Sequence, residues 1–339
     1  MCLAKRLAVL LLHGDKHFSE VLLLQERQGI RREAQKKMKA LVTGGSGFIG
    51  HHLIDRLLRD GWNVVSADRS PGYRPKNERF GSVGIDVTDV EGLAKVGKGC
   101  DAVFHLAANT DVRQKEELAT LEFRQTFLTT RSVLECIRLN GIGKLFFSSS
   151  SAVYGNREGL LREDMGDLRP VSYYGAYKLA SESLIKAYSS LNGFDALIFR
   201  LPNVVGPKMT HGVTFDFMNK IKNNPEKLEI LGDGKQEKQY AHISDVLNGI
   251  VYFSKRTRGV EVYNISNDSS ITVNSIADIV CEEMGASPEY TYTGGSTGWE
   301  GDVPRYMFDI SKARAKGWTF KYDSESAVRE SVRAELARL

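Results

Sequence analysis

Tyr174 and Lys178, in the run Tyr174-Gly175-Ala176-Tyr177-Lys178, stand four residues apart, downstream of a glycine-rich run, Thr43-Gly44-Gly45-Ser46-Gly47-Phe48-Ile49-Gly50. That spacing puts both side chains on one face of a helix, one turn apart. A phenol with an ordinary pKa of about 10 must be brought near 7 to act as a general base, a change worth roughly 4 kcal/mol. A neighbouring ammonium and an oxidised nicotinamide are two positive charges that together supply it. Tyrosine and lysine at this spacing are a common accident on amphipathic helices. Here they follow Phe147-Ser148-Ser149-Ser150-Ser151-Ala152-Val153-Tyr154-Gly155, a strand-like run that ends in hydroxyls. Ser150 at such a strand end can hold a sugar or carbonyl oxygen against the tyrosine. The chemistry indicated is proton transfer coupled to a dinucleotide.

The dinucleotide cradle has its own signals. Gly44, Gly47 and Gly50 fall between a short apolar strand and a helix, where the turn needs positive φ and the backbone must approach a pyrophosphate. Phe48 and Ile49 lie within the same turn. Asp68 closes the next strand 18 residues after Gly50, where a carboxylate accepts hydrogen bonds from ribose hydroxyls and repels a 2′-phosphate. NAD is therefore expected rather than NADP, with Arg69 beside it as the competing feature. Asp86-Val87 and Leu106-Ala107-Ala108 fall at the ends of the third and fourth strands, over which the cofactor's adenine and nicotinamide halves would lie.

The elements that position these groups alternate. Apolar runs at 63–68, 82–86, 102–107, 144–149 and 196–201 read as buried parallel strands, separated by helical stretches at 51–60, 122–140 and 177–191. The pattern predicts an α/β, Rossmann-type doubly wound parallel sheet. Beyond Pro202, Gly232, Gly234, Pro288, Gly294, Gly295 and Pro304 break shorter elements, as expected of a smaller C-terminal α/β lobe that binds substrate over the sheet's carboxyl edge. The expected division is an N-terminal extension at 1–37, a cofactor domain at 38–202 and a mainly substrate-binding lobe at 203–339. Within the extension, 8–12 and 21–24 have the pattern to pair as a hairpin and 25–37 is helix-permissive, but composition favours a poorly docked appendage, or a true start at Met38.

Composition narrows the function classes. In 339 residues the net charge is +4, but residues 1–37 carry eight Lys/Arg against four acids, and the rest balance at 38 of each sign. A neutral body offers no phosphate-tracking stripe, so nucleic acid is not an expected partner. No apolar run reaches 18 residues and the N-terminus lacks signal-peptide features, which points to a cytoplasmic protein without a membrane partner. The four cysteines are scattered without a CxxC pair, and His51, His52 and His242 lack partners at ligand spacing, so no metal is expected.

Taken in order, the glycine run, His105-Leu106-Ala107-Ala108, Ser148 to Gly155, Tyr174 to Lys178 and Arg200-Leu201-Pro202-Asn203-Val204-Val205-Gly206-Pro207 resemble the extended short-chain dehydrogenase/reductases. Within them the chain is most similar to the nucleotide-sugar epimerases and dehydratases of the UDP-glucose 4-epimerase type. The resemblance spans about residues 39 to 320 and implies NAD-dependent 4-epimerisation of a nucleotide sugar. On that resemblance Tyr174 takes the proton of the sugar 4-hydroxyl, Lys178 holds the nicotinamide ribose and lowers the tyrosine pKa, and Ser150 positions the 4-oxygen. The C4 hydride passes to NAD and returns to the other face of a 4-ketosugar. Asn203 and Lys238 match positions that contact the nucleotide diphosphate, Lys238 standing where many members carry arginine. A homodimer joined through a four-helix bundle is implied as well.

Relatives that dehydrate carry Asp-Glu just after the catalytic Ser/Thr, and the decarboxylating branch has Glu. Ser151-Ala152 stand there in this chain, which favours epimerisation. A reductase, dehydratase or decarboxylase of the same family remains the alternative. Thr126, where the family often has Asn, and Trp299, where relatives often place a second arginine, depart from the pattern.

Overall fold

Seven short segments form one parallel sheet in this computed structural model: β1 (Lys39–Thr43), β2 (Asn63–Asp68), β3 (Phe80–Gly84), β4 (Ala102–His105), β5 (Lys144–Ser150), β6 (Asp195–Leu201) and β7 (Val260–Asn264). The structure describes residues 37–109, 116–157, 159–299 and 302–338. The hairpin and helix expected within residues 1–37 lie outside the described residues, except for Lys37 itself.

The strand order is β7-β6-β5-β4-β1-β2-β3, and every pairing is parallel. All strands therefore end at one edge, and the order reverses between β1 and β4, which opens a crevice there. Alternation along each strand feeds two cores. Val42, Phe104, Phe146 and Phe199 face one side, against Leu53, Ile54 and Leu57 of helix α1 (Phe48–Arg59). Leu41, Val103, Leu145, Phe147 and Ile198 face the other, against Leu93 of α2 (Val90–Val96) and a helical layer further on.

That layer was expected as one helix over 122–140. It is built instead of α3 (Glu116–Glu122), a π-helical segment (Phe123–Leu128) and α4 (Thr129–Asn140). Beside it lies α5 (Tyr173–Asn192), which carries Tyr174 and Lys178.

Other boundaries also differ from expectation. β3 lies two residues before the 82–86 run, as an edge strand whose residues are half-buried or exposed. β4 stops at His105, which frees Leu106 to Ala108 to run along the glycine turn.

A smaller lobe has its own core. Val205, Phe217, Met218, Leu228, Ile230, Ile276 and Val328 pack together from α6 (Val213–Asn223), the parallel pair Lys227–Ile230 and Glu289–Tyr292, α8 (Val273–Met284) and α9 (Ser324–Leu336). Between its parts the chain returns to the large sheet. Helix α7 (Ile243–Ser254) packs Val246, Ile250 and Phe253 onto the α1 side, and β7 then extends the sheet beyond β6. Neither was anticipated, so the stretch after residue 202 contributes to both layers. No helix among the described residues is long and apolar enough to cross a membrane.

Candidate active site

The glycine turn is dictated by contact as much as by conformation. Gly44 has φ +72, and a Cβ on it would stand 2.7 Å from the Ala107 nitrogen. A Cβ on Gly50 would stand 2.2 Å from the Gly44 carbonyl oxygen. β1, α1 and the segment after β4 can approach this closely only with glycine at both positions. Gly47 caps α1 without a side-chain hydrogen bond, and the first turn, which includes Phe48 and Ile49, holds no acid. Its amide donors and dipole suit an anionic group.

Asp68 at the end of β2 accepts from the Ser46 amide (3.1 Å) and the Ser70 amide (3.2 Å), which presents its carboxylate beside the glycine turn. Asp86 accepts from the Thr88 amide (3.0 Å) and hydroxyl (2.7 Å) and pairs with Arg124 (3.0 Å), and the Thr88 bonds hold its carboxyl below the usual range. Val87 is buried in the core, so only its backbone can face a ligand. The cradle thus fits a dinucleotide: a crevice at the reversal point, the amides of a helix N-terminus for a pyrophosphate and a carboxylate at the end of the neighbouring strand.

The proton-transfer groups meet where β5 ends. Ser150 caps a short 3-10 turn, Ser151–Tyr154, by accepting from the Ala152 amide at 3.2 Å. Ser172 caps α5 by accepting from the Gly175 amide at 3.1 Å. A Cβ on Gly175 would stand 2.5 Å from the Ala152 carbonyl oxygen, so this glycine lets the first turn of α5 rest on the Ser150 turn. The contact places Ser150 beside Tyr174, where it favours the charged phenol. One helical turn on, Lys178 is 2 % exposed and donates to the Ser148 carbonyl at 2.7 Å, with its nitrogen 4.7 Å from the centre of the Phe147 ring.

The electrostatics of this pair run against a simple expectation. Burial pushes Tyr174 up to about 12, the nearby Ser150 hydroxyl opposes that, and the Glu122 carboxylate adds to it. Burial pulls Lys178 down to about 8, opposed by Glu122 and Glu182. Desolvation thus dominates at the phenol, which leaves the depression expected from the lysine and an oxidised nicotinamide together to come with the cofactor. Bringing Tyr174 from about 12 to near neutrality requires roughly 7 kcal/mol of added positive potential.

A buried polar layer fixes the site from behind. His105 Nδ1 bonds the Thr43 hydroxyl (2.7 Å) and Nε2 the Thr130 hydroxyl (3.1 Å). Burial, with Lys178 nearby, lowers the imidazole to about 3, so it is neutral at physiological pH. Arg200 on β6 forks onto Glu182 (3.0 and 2.7 Å), and Glu182 also accepts from Ser149 at 2.5 Å.

The substrate-side residues are linked to this centre by Tyr306, which sequence reasoning missed. Its side chain is buried beside Ser151, and its hydroxyl accepts from the Asn203 amide at 3.2 Å. No motif flags it; its role depends on a contact 103 residues away in sequence. Lys238, expected to meet phosphate, donates to Asp302 at 2.5 Å and lies 5.1 Å from the centre of the Trp299 ring. Lys238 and Trp299, two of the three departures from the family pattern, are therefore neighbours. His51 and His242 are buried and hydrogen-bonded through Nδ1, to the Gly47 carbonyl (3.1 Å) and the Ser244 hydroxyl (2.7 Å), while Nε2 of each lacks a bond.

The sequence model of the NAD dependent epimerase/dehydratase family matches residues 40–266. The fold aligns with a crystal structure of a UDP-galactose 4-epimerase, TM-score 0.78 and 33% identity, over 89% of this chain and 99% of that one. It also aligns with the Thermus thermophilus UDP-glucose 4-epimerase in complex with NAD, TM-score 0.78 and 28% identity, over 88% and 98% of the two chains. In sequence the chain is 28% identical to the UDP-glucuronate 4-epimerase of Thermodesulfobacterium geofontis, over 86% of this chain and 94% of that protein. With a parallel sheet reversing at a glycine turn, and a matched model that spans most of the described residues, the chain belongs to the NAD-dependent epimerase/dehydratase family.

Proposed function

We propose that this chain catalyses 4-epimerisation of a nucleotide sugar of the UDP-glucose/UDP-galactose type, through a transient 4-ketosugar. The observation that carries the reading is the close seat of the first turn of α5 on the Ser150 turn, which sets Tyr174 beside Ser150, with the uncharged Ser151 and Ala152 next in the chain. When bound, NAD supplies reversible hydride transfer and a positive nicotinamide. Gly44, Gly47, Phe48, Ile49, Gly50, Asp68, Asp86, Val87 and Leu106 to Ala108 would hold it, with Tyr174 and Lys178 at its reactive end.

Tyr174 takes the proton of the sugar 4-hydroxyl and later returns it to the same oxygen. Ser150 keeps that oxygen in reach, which allows both faces of the sugar to use one base. Lys178 contributes positive charge from behind and is held by the Ser148 carbonyl. Elimination of water needs an acid and a base near sugar C5 and C6, and each typically contributes 10²–10⁴-fold. Ser151 is neutral and lies beside Tyr306, which favours epimerisation over dehydration. Residues 38–202 would carry mainly the cofactor and 203–339 mainly the substrate, with Asn203 and Lys238 near the diphosphate.

A homodimer is part of the reading. Phe123, Phe127 and Tyr177 form an aromatic cluster, with ring centroids 5.7 to 6.3 Å apart, on the outer face of the π-helical segment and α5. Phe123 and the nearby Leu121 and Tyr173 are among the exposed large apolar side chains. Such a face suits a second copy.

The test is to incubate the purified protein with NAD and, separately, UDP-glucose, UDP-galactose, their N-acetyl forms and UDP-glucuronate, and then to separate the products. One 4-epimer pair should interconvert without net NADH. Stoichiometric NADH, or a 4-keto-6-deoxy product, overturns the proposal.

A further inference from the structure

Lys178 and Glu182 lie four residues apart on α5, so both leave one face of the helix. They grip consecutive residues of β5: Lys178 donates to the Ser148 carbonyl at 2.7 Å, and Glu182 accepts from the Ser149 hydroxyl at 2.5 Å. Glu182 is fully buried, and a carboxylate there needs a matched charge. Arg200 supplies it, donating through Nε to Oε1 at 3.0 Å and through Nη2 to Oε2 at 2.7 Å. Ser149 and Arg200 are direct partners across β5 and β6, so two neighbouring strands hold the one carboxylate.

The same guanidinium reaches the other half of the site. Its carbon lies 4.7 Å from the centre of the Tyr154 ring, in the turn that Ser150 caps. Tyr154 donates to Asn264 at 2.8 Å, and Asn264 is the partner of Arg200 on β7. Arg200 therefore touches both bodies whose separation decides whether Ser150 and Tyr174 meet one ligand oxygen: α5 through Glu182, and the Ser150 turn through Tyr154. A two-point fork fixes distance and angle together, whereas apolar side chains of the same volume permit sliding. A buried ion pair is often no more stabilising than such apolar groups, because both charges have left water. What this pair supplies is a position.

We propose that Glu182 and Arg200 are positioning residues, whose fork sets the height of α5 on β5 and with it the reach of Tyr174 to the oxygen held by Ser150. The inference deepens the function proposed above and rests on Tyr174 being its proton-transfer group.

The test compares full-length wild type with the triple variant Ser149→Ala, Glu182→Leu, Arg200→Met, which removes the polar set and nearly keeps its volume. Its urea midpoint should stay close to that of wild type. Crystal structures of both with NAD, superposed on the large sheet, should show the first turn of α5 displaced from Ser150 by about 1 Å, with kcat lower by about 10²-fold and KM and NAD affinity within about threefold. Arg200→Lys keeps the charge and loses the fork; its helix should move in the same direction by less, with kcat lower by about tenfold. It carries the test alone should the triple variant not fold. In the variant that folds, an α5 still in place, or an unchanged kcat, overturns the inference. The crystal structures need no turnover, so a wild type inactive on every sugar nucleotide, with α5 displaced in the variant, would sink the epimerase proposal while the positioning role stands.

Discussion

Gly175→Ala should slow turnover more than it destabilises the fold. The added Cβ would sit 2.5 Å from the Ala152 carbonyl oxygen, and 3.0 Å from both the Ala152 carbonyl carbon and Pro170 Cβ. Two of these three neighbours are backbone, so the first turn of α5 must retreat by about 1 Å to restore ordinary contact. Tyr174 is the adjacent residue and moves with it. A misplacement of about 1 Å costs on the order of 10²-fold in kcat. Overpacking destabilises by about 1–3 kcal/mol, whereas alanine in place of glycine returns about 1 kcal/mol of helix propensity, leaving a net loss of about 0–2 kcal/mol. Steady-state kinetics on the interconverted sugar pair, a urea melt and an NAD titration separate these effects. NAD affinity should stay within about threefold, because the glycine turn is made by β1, α1 and the β4 exit rather than by α5. A kcat within about threefold of wild type would refute the idea that this contact sets the reach of Tyr174.

Other perturbations have signed outcomes. Tyr174→Phe should lower turnover by at least about 10²-fold with NAD binding nearly intact; retention of a tenth of the activity would point to another base. Asp68→Asn should weaken NAD binding and narrow the preference over NADP, as read by parallel titrations, and an unchanged ratio would assign the preference elsewhere. Burial, with His52 beside it, lowers His51 to about 4, and burial lowers His242 to about 4. The unfolded chain therefore binds these protons first, so stability present above about pH 6.5 should be lost as pH falls towards 4. His51→Gln should flatten that slope in urea melts, and an equal slope would contradict the assignment.

What the sequence disclosed depended on how local the cause was. β1, β4, β5 and β6 are apolar runs that feed motif residues directly, and their positions follow from pattern alone. Val260–Asn264 was missed because Val-Glu-Val-Tyr-Asn mixes charge into a strand that pairs on one side with β6. The π-helical segment has the composition of an ordinary helix; its widening is tied to packing against α5 and to the Thr126–Glu122 bond. Glu122 carries no signal, since nothing local distinguishes a buried carboxylate from an exposed one. Gly175 was visible as a motif residue, but its reason, the Ala152 carbonyl, lies in another element. Tyr306 and the Lys238–Asp302 pair depend on contacts across the smaller lobe, 64 residues apart in the second case.

The central claim is that the site moves a proton only at the sugar 4-oxygen, with no acid/base pair serving C5. Running the reaction in deuterium oxide with NAD and the sugar nucleotide that turns over, followed by NMR and mass analysis of the product, tests it most directly. The account predicts a 4-epimer with no deuterium on any sugar carbon, because Tyr174 exchanges only the hydroxyl proton. Deuterium at C5 would contradict it and reveal an acid/base pair acting where Ser151 and Ala152 offer none.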